Sequence, residues 1–191
     1  MRYRPGHKQQ TKARIVQQAG RLFRRFGYAG VGIDGIMAAA KLTRGGFYGY
    51  FRSKAELFAE VMRGEHDFNM RLQARDGRTP AELTQQALEV VAGYLHPDNR
   101  RRVGQGCAMA SLSVDVARAG RPVREAYTRK VEELAGEFAR GLPDADGRDP
   151  RVLASIALCV GGLIVARGVH DDALATDILE ACRAAVVKEL R

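Results

Sequence analysis

The stretch that decides the fold is residues 33–58, IDGIMAAAKLTRGGFYGYFRSKAELF. It contains a short apolar segment, a break at Lys41-Leu42, and a very short second segment rich in aromatic residues and glycines, before a capped helix start at Ser53. Two helices this short bury too little surface to be stable alone, and proteins join such pairs at a steep angle to hold one of them against nucleic acid. The stretch therefore predicts a helix-turn-helix.

The positive charge of the chain is concentrated in the same region. The 191 residues carry a net charge of +9; residues 1–54 hold twelve Lys/Arg and one acid, Asp34, whereas residues 55–191 hold nineteen Lys/Arg and twenty-one acids. A basic first quarter joined to a near-neutral remainder favours a polyanion partner for the first part only. A solvated basic face is the alternative, but the charge coincides with the helix-turn-helix pattern, which favours double-stranded DNA.

The composition, 46% hydrophobic and 28% charged, is that of an ordinary soluble globular chain. The first residues, MRYRPGHKQQTKAR, lack the apolar core of a secretory signal, and the longest apolar run, Ile156–Ala166, is too short to span a bilayer. Cys107, Cys159 and Cys182 form neither a disulfide framework nor a CxxC pair. We therefore expect a cytoplasmic protein with no membrane partner.

No catalytic motif supports an enzyme. The four histidines are scattered, and no metalloprotease, hydrolase, phosphate-loop or dinucleotide-binding fingerprint is present. Neighbouring residues of 65–67, Glu-His-Asp, would point in different directions on a helix, so no metal site is expected there. We expect no catalytic residue, cofactor or metal; a carrier or enzyme that uses only a helical cavity is the alternative, and it predicts no DNA affinity.

Helical periodicity dominates the chain and predicts an all-α fold of nine helices: a three-helix DNA-binding domain over residues 1–53 and a larger helical effector-binding and dimerisation domain over residues 54–191. Thr11, Thr43, Ser53 with Glu56, and Asp171 or Asp172 are the expected caps. The predicted helices span residues 11–26, 33–40, 44–50, 53–75, 80–95 with Pro80 in the first turn, 107–119, 123–141, 151–169 and 173–190, and residues 96–106 are a predicted loop. The inward face of the first helix is predicted to carry Ile15, Ala19, Leu22, Phe23 and Phe26.

Three side chains of the second short helix do not fit its apolar face and are candidates for contacting DNA. The guanidinium of Arg44 matches the two acceptors of a guanine edge in the major groove, and Tyr48 and Tyr50 can donate hydrogen bonds to phosphates. The alternative is that the tyrosines cover a core.

Backbone and charge features next to them support the same interface. Gly45 and Gly46 weaken a helix by ~1 kcal/mol each, but they let the backbone approach DNA closely. Lys54, at the start of the next helix, can hold a phosphate. The basic residues Arg2, Arg4, His7 and Lys8 can reach the adjacent backbone or minor groove, or form a solubilising tail.

The segment GYAGVGIDGIMAAAKLTRGGFYGYFRSKAELF closely resembles the TetR family of bacterial transcriptional regulators, and the nine-helix plan and length agree. The resemblance implies that the residues at Thr43, Arg44, Tyr48, Tyr50 and Lys54 contact DNA. It further implies a homodimer through a four-helix bundle of the last two helices of each subunit, and an inducer pocket in the middle helices. We therefore expect a repressor released from a palindromic operator by a small-molecule inducer; a DNA-binding regulator without a small ligand is the alternative.

Three positions depart from the family pattern. Val31-Gly32 stand where a Thr or Ser usually opens the second helix, Lys41 stands at the usual turn glycine, and Gly49 stands where a base-contacting side chain is common. We therefore expect an altered cap, a strained or different turn, and sparse direct readout that depends on Arg44 and DNA shape.

The last two helices carry apolar stripes that favour a dimer over a purely internal core. The stripes consist of Ile156, Val160, Leu163, Ile164 and Arg167 beside Gly161-Gly162, and of Leu174, Ile178, Leu179 and Val186. A dimer would place its two recognition helices about one DNA turn, ~34–36 Å, or a multiple apart.

The middle helices hold candidates for an inducer pocket, because Met-rich, aromatic-lined cavities adapt to varied apolar ligands; each is alternatively plain core. The candidates are Phe58, Met62, His66, Met70, Met109, Leu112, Tyr127 and Phe138. No Arg or Lys pair is evidently placed to hold an acidic ligand. Cys107, at a helix start just after Arg100–Arg102, is a candidate electrophile or redox sensor, with a buried inert thiol as the alternative.

Overall fold

The computed structural model describes residues 5–64 and 67–191, with side chains from residue 7 onward, and in these ranges it is all-helical. The predicted all-α class is confirmed. The elements are α1 (Pro5–Phe26), α2 (Ile33–Ala39), the 3₁₀-helix η1 (Arg44–Gly49), α3 (Lys54–Arg63), α4 (Asp67–Gln73), α5 (Pro80–Tyr94), α6 (Pro97–Arg101), α7 (Ala108–Ala117), α8 (Arg121–Ala139), α9 (Pro150–Gly168) and α10 (Asp172–Leu190).

The described residues form eleven helical segments rather than the nine predicted. The helix predicted over residues 53–75 ends at Arg63, because Gly64 leaves helical geometry (φ −58°, ψ 164°), and α4 then begins at Asp67. The predicted loop 96–106 contains α6, which Pro97 opens at its first position, where a missing N–H costs nothing.

Most of the predicted helix starts are confirmed. The Ser53 side chain accepts a hydrogen bond from the Glu56 N–H at 3.1 Å, and the Asp171 carboxylate accepts from the first two N–H groups beyond Asp172 at 2.7 and 3.1 Å. The prediction for Thr11 is wrong: α1 begins at Pro5, and Thr11 lies inside it with its hydroxyl donating to the His7 carbonyl at 2.8 Å.

Two hydrophobic cores organise the chain. The first core joins the short helices to α1, α3, α7 and the start of α8, and the second core lies among α4, α5, α8, α9 and α10. Large members of the first core are Ile15, Phe23, Ile36, Phe47, Phe51, Leu57, Phe58, Met62, Leu112 and Val116. Helix α7 contributes to both, since Ala108 and Leu112 pack in the first core and Met109 and Ala110 in the second.

Phe26 is not part of the first core, contrary to the prediction. Its ring is 53% exposed, with the Arg25 guanidinium 5.1 Å from the ring centroid. Tyr28, just beyond the end of α1, packs instead against Phe23 and Phe58, at centroid distances of 5.6 and 4.8 Å.

Among the helices that the structure describes, α9 and α10 form the most extensively packed pair. Gly162 lets them approach closely: a Cβ atom at this position would lie 2.7 Å from the Cys182 Sγ. Among the described residues, α9 is also the one helix that is long and apolar enough to cross a membrane by length and composition. The sequence predicted no membrane span, because its longest uninterrupted apolar run, Ile156–Ala166, is too short. The helix is weak evidence for a span, because core helices of soluble proteins meet the same criterion and α9 packs within the second core.

We expect Gly162→Val to lower the free energy of unfolding by about 1–3 kcal/mol, because the new side chain must displace α10. Urea unfolding at one fixed protein concentration measures this change. Gly136→Val, on an exposed face of α8 with no atom within 4 Å of the new Cβ, is the matched control. Equal destabilisation by the two substitutions would contradict close packing at Gly162.

Candidate nucleic-acid interface and ligand cavity

The turn between α2 and η1 is a Schellman motif built on a lysine. Lys41 adopts left-handed geometry (φ 55°), the Leu42 N–H donates to the Met37 carbonyl, and the Lys41 N–H donates to the Ala38 carbonyl, both at 2.9 Å. A left-handed conformation costs a non-glycine residue roughly 1–2 kcal/mol. The strained turn expected at Lys41 is therefore present, and it keeps the usual geometry of a glycine turn.

The cap of α2 is altered, as expected from the sequence. Gly32 occupies the cap position and has no side chain to accept a hydrogen bond. Thr43 likewise precedes η1 in the cap position, but its side chain makes no capping hydrogen bond, so the capping role predicted for Thr43 is wrong. The first N–H groups of both short helices lack side-chain caps, which makes their stability dependent on packing.

The second short helix is a 3₁₀-helix fastened to the first core by one side chain. Phe47 is fully buried and contacts the Phe51 ring at a centroid distance of 5.8 Å. On the opposite face the backbone is open, because no atom lies within 4 Å of the place where a Cβ would stand on Gly45 or Gly49. The segment therefore presents bare backbone and a few side chains to solvent.

Two of the predicted contact side chains lie fully on this open face. Tyr48 is 62% exposed, and the Arg44 side chain is 68% exposed. The Arg44 guanidinium pairs at 3.0 Å with Asp34 of α2, the single acid of the first 54 residues. At such exposure the pair contributes little to stability. Tyr50 is half-buried and packs against the first core.

The structure directs Lys54 inward. Its Nζ atom lies 4.2 Å from the centroid of the Tyr28 ring, a cation–π contact, and partial burial lowers the pKa of Lys54 while the nearby Asp115 opposes that shift. The phosphate contact predicted for Lys54 stays a prediction. Of the basic tail, Arg2 and Arg4 lie outside the described residues, and His7 and Lys8 lie in α1.

Helix α7 fixes the helix-turn-helix to the rest of the chain. The Asp115 carboxylate accepts a hydrogen bond from the Tyr28 N–H at 3.1 Å, directly after Gly27 has turned the chain out of α1 (φ 73°). The Arg24 guanidinium donates to the carbonyl of Gly104, in the segment before α7, at 3.0 Å. A displacement of α7 would therefore move the α1–α2 connection.

Two adjoining cavities of about 220 and 280 Å³ lie at the other end of α7, between α4, α5, residues 102–107 and α9. The rings of Phe68 and Tyr94 stack along their shared wall with centroids 3.9 Å apart. Cys107 and Arg167 line the larger cavity, and Arg102 lines both. Within the described ranges no group of three or more His, Cys, Asp or Glu lies together to hold a metal ion.

Three buried polar atoms around these cavities have no hydrogen-bond partner among the described residues. They are the Asn69 Oδ1, the Tyr94 hydroxyl and the Arg167 Nε. The other guanidinium nitrogens of Arg167 donate to the Ser111 hydroxyl and the Asn99 carbonyl, both at 3.0 Å. Asn69 lines a small adjoining space, whereas Tyr94 and Arg167 line the larger cavity. Buried polar groups are nearly always satisfied, so the two orphans on Tyr94 and Arg167 indicate a missing polar partner there.

The sequence predicted this site only in part. Met109 lies at its edge in a small adjoining space with Asn69 and Cys107, but the other candidates are not brought together in one cavity. Phe58, Met62 and Leu112 are in the first core, Phe138 is in the second, Tyr127 is half-buried with its hydroxyl 3.1 Å from that of Ser113, Met70 is 45% exposed, and His66 lies outside the described residues.

Sequence reasoning missed Phe68, Tyr94 and the two arginines. Arg167, predicted on the dimer stripe of α9, lines the larger cavity together with Arg102. One feature of the sequence could have indicated this cavity: Arg167 is a single charged residue near the end of the otherwise apolar helix α9.

A larger open groove of about 540 Å³ lies between α1 and α3. Lys12 and Glu60, which pair at 2.9 Å, line it together with Arg24 and Arg63. No orphaned buried polar atom lines this groove within the described part of the chain, so it offers no comparable site.

Residues 15–61, which contain the helix-turn-helix, match the family profile "Bacterial regulatory proteins, tetR family". Over 130 residues the chain is 25% identical to the HTH-type transcriptional repressor DhaR of Mycobacterium sp. (strain GP1), covering 68% of this chain and 64% of DhaR. Over 52 residues it is 46% identical to the HTH-type transcriptional repressor SCO4008 of Streptomyces coelicolor, covering 27% of each protein. The chain thus spans less than two thirds of the length of these relatives.

The whole fold is also similar to a solved structure. The reduced form of E. coli NemR superposes with a TM-score of 0.77 at 18% identity, covering 94% of this chain and 96% of that one. At this identity the likeness shows the fold alone.

Proposed function

Since the chain belongs to the TetR family of bacterial regulatory proteins, we propose that it is a transcriptional repressor that a small-molecule inducer releases from a palindromic operator. Proteins of this family are typically cytoplasmic regulators rather than enzymes, and we assign this chain to the same place and role. A DNA-binding regulator with no small ligand is the alternative.

The open face of η1 is the observation on which the DNA-binding part of the proposal depends. It presents Arg44 and Tyr48 beside the bare backbone of Gly45, on the part of the chain that carries twelve Lys/Arg and one acid. An arginine guanidinium can donate two hydrogen bonds to the major-groove edge of a guanine, and the surrounding positive charge attracts the phosphate backbone. We assign base readout to Arg44, phosphate contacts to Thr43, Tyr48, Tyr50 and Lys54, and close backbone approach to Gly45 and Gly46.

We place the coupling between ligand and operator in α7. Cys107, the residue directly before α7, lines the larger cavity, and about 12 Å further along the helix (8 residues at the α-helical rise of 1.5 Å) Asp115 holds the α1–α2 connection. The sequence suggested instead one continuous helix from Ser53, but that helix is interrupted at Gly64. A ligand that binds better to one position of α7 shifts the population toward it and changes the spacing of the two recognition helices.

We expect Arg44→Ala to weaken binding to the operator by about ten- to hundredfold, because a bidentate arginine–guanine contact contributes ~1–3 kcal/mol. The operator is first selected from a pool of randomised duplexes, and fluorescence anisotropy at one fixed salt concentration then gives the affinity. Arg129→Ala, which removes an equal charge from an exposed position on α8, is the control. Unchanged sequence-selective binding by a protein lacking both Arg44 and Tyr48 side chains would refute the proposed interface.

Homodimerisation through α9 and α10 is supported by apolar side chains that the described chain leaves uncovered. Leu153 and Ile164 are 39% and 38% exposed, Val165 is 55% exposed and Leu174 is 47% exposed. The predicted stripe is mostly internal instead, since Ile156, Val160, Leu163, Leu179 and Val186 are buried in the second core. A dimer would cover the exposed set and place two recognition helices on one palindrome.

We expect Val165→Glu to convert the dimer to monomers, because a two-fold interface would bring the two introduced carboxylates close together at a cost of several kcal/mol. Size-exclusion chromatography with light scattering measures the mass. Val114→Glu, on α7 at 62% exposure, is the matched control and keeps the dimer mass. If both variants keep the wild-type mass, the dimer does not form through this face.

Covalent sensing through Cys107 is the second candidate for the trigger. Its thiol is half-buried and lines the larger cavity, whereas Cys159 is fully buried and burial raises the pKa of its thiol. An electrophile that enters the cavity can therefore reach Cys107 before Cys159. Under this alternative we expect alkylation of Cys107 to lower operator affinity by about tenfold or more, by anisotropy; unchanged affinity after complete alkylation excludes it.

A further inference from the structure

We propose that the two adjoining cavities bind a small organic carboxylate with a single-ring apolar body, and that this anion is the class of inducer. The inference rests on the proposed function and names the ligand chemistry of its effector site. It is carried by the side chains of Arg167, Tyr94 and Phe68.

Arg167 brings a partly buried positive charge that no carboxylate of the described residues neutralises. Its hydrogen bonds go to a hydroxyl and a backbone carbonyl, and its Nε is left without an acceptor. Burial lowers the pKa of the Arg167 guanidinium, which marks the cost of holding this charge out of water. An anion in the larger cavity would remove that cost and fill the empty hydrogen-bonding position.

Tyr94 supplies a second donor next to Arg167. The residue is 7% exposed, and its hydroxyl has no partner within normal hydrogen-bond geometry in the described chain. The Cys107 thiol acts on its ionisation more than Arg167 does, and all three residues line the larger cavity. Burial raises the pKa of Tyr94 well above its usual value, so the hydroxyl stays protonated and can donate. A carboxylate has two oxygens, one for the Tyr94 hydroxyl and one for the Arg167 Nε.

The charged residues that line the two cavities leave a surplus of one positive charge, since three arginines, Arg71, Arg102 and Arg167, stand against Asp67 and Asp98. Arg71 pairs with Asp67 at 3.0 Å, and Asp98 lies 3.5 Å from His96, which offsets a carboxylate only when it is protonated. Arg102, which lines both cavities, makes no hydrogen bond or ion pair with any residue the structure describes. The entrance thus attracts anions and disfavours cations.

The apolar walls and the volumes limit the rest of the ligand. The stacked rings of Phe68 and Tyr94 and the buried Leu163 offer a flat apolar contact. The larger cavity, about 280 Å³ and the one that Arg167 lines, is just below the roughly 300 Å³ at which pockets for drug-sized ligands begin. It therefore suits an acid with one ring, and a longer apolar body would have to extend into the adjoining cavity of about 220 Å³.

Three commercial probes that share a ring and differ in charge test the ligand class on the full chain: benzoate, benzamide and benzylamine. We expect benzoate to bind with a Kd below about 10 mM, the weak end for a ligand of this size, and the other two to bind at least about tenfold more weakly. Isothermal titration calorimetry without DNA gives the affinities. The proposal is overturned if benzoate and benzamide bind equally well, or if benzoate does not bind. Either result is expected if water alone satisfies the polar atoms of Tyr94 and Arg167.

Substitutions then locate the site. Tyr94→Phe removes one oxygen and keeps the stacked ring, so we expect it to raise the Kd for benzoate about tenfold with little change in folding. Arg167→Met is expected to abolish binding, while Arg124→Met, at an exposed position on α8, leaves it unchanged. If Tyr94→Phe binds benzoate as tightly as the wild type, the assignment is wrong.

Operator binding is measured separately, which keeps the two proposals distinguishable. A chain that binds its selected palindrome but not benzoate refutes the ligand class and leaves the repressor function standing. A chain without sequence-selective DNA binding refutes the repressor function, whatever its affinity for benzoate.

Discussion

The structure depends on one constraint: two helices of seven and six residues cannot bury enough surface to hold their own shape. Neither has a side-chain cap, and the turn between them carries the strain of a left-handed lysine. Both are stable only because Ile36 and Phe47 insert into a core that is completed by α1, α3, α7 and the start of α8. The geometry of the outer face, where Arg44 and Tyr48 lie, is therefore set by residues distant in sequence.

The local features of this fold could be predicted from the sequence, and the tertiary ones could not. Ser53, Pro80 and Asp171 mark helix starts through interactions within a few residues, so each was predicted correctly. Phe26 was predicted to be buried from periodicity alone, but Tyr28 occupies that place after the chain leaves the helix. Periodicity likewise assigned Arg167 to an outer stripe, because it could not show that Ser111 of α7 and Asn99 of α6 accept hydrogen bonds from this guanidinium and direct it inward.

The two candidate sites differ in how far solvent screens their positive charge. On η1, positive charge is exposed, and water and salt screen it until a polyanion displaces them. In the cavity, the charge of Arg167 is half-buried and has no counter-charge among the described residues, so even a monovalent ligand gains from meeting it. The net charge of the second part of the chain, with nineteen Lys/Arg and twenty-one acids, hides this local surplus, and composition could not reveal it.

The sharing of α7 between the two cores bears on how such regulators diversify. A gene fusion that joined the first 53 residues to another effector-binding half would leave Leu112, Val116 and the carboxylate of Asp115 behind, and would expose the underside of the recognition module. Working hybrids would have to carry a compatible α7 together with the helix-turn-helix. Exchange of operator specificity between relatives by recombination is thus restricted to parents whose α7 residues match, whereas point changes on the open face of η1 are free of that restriction.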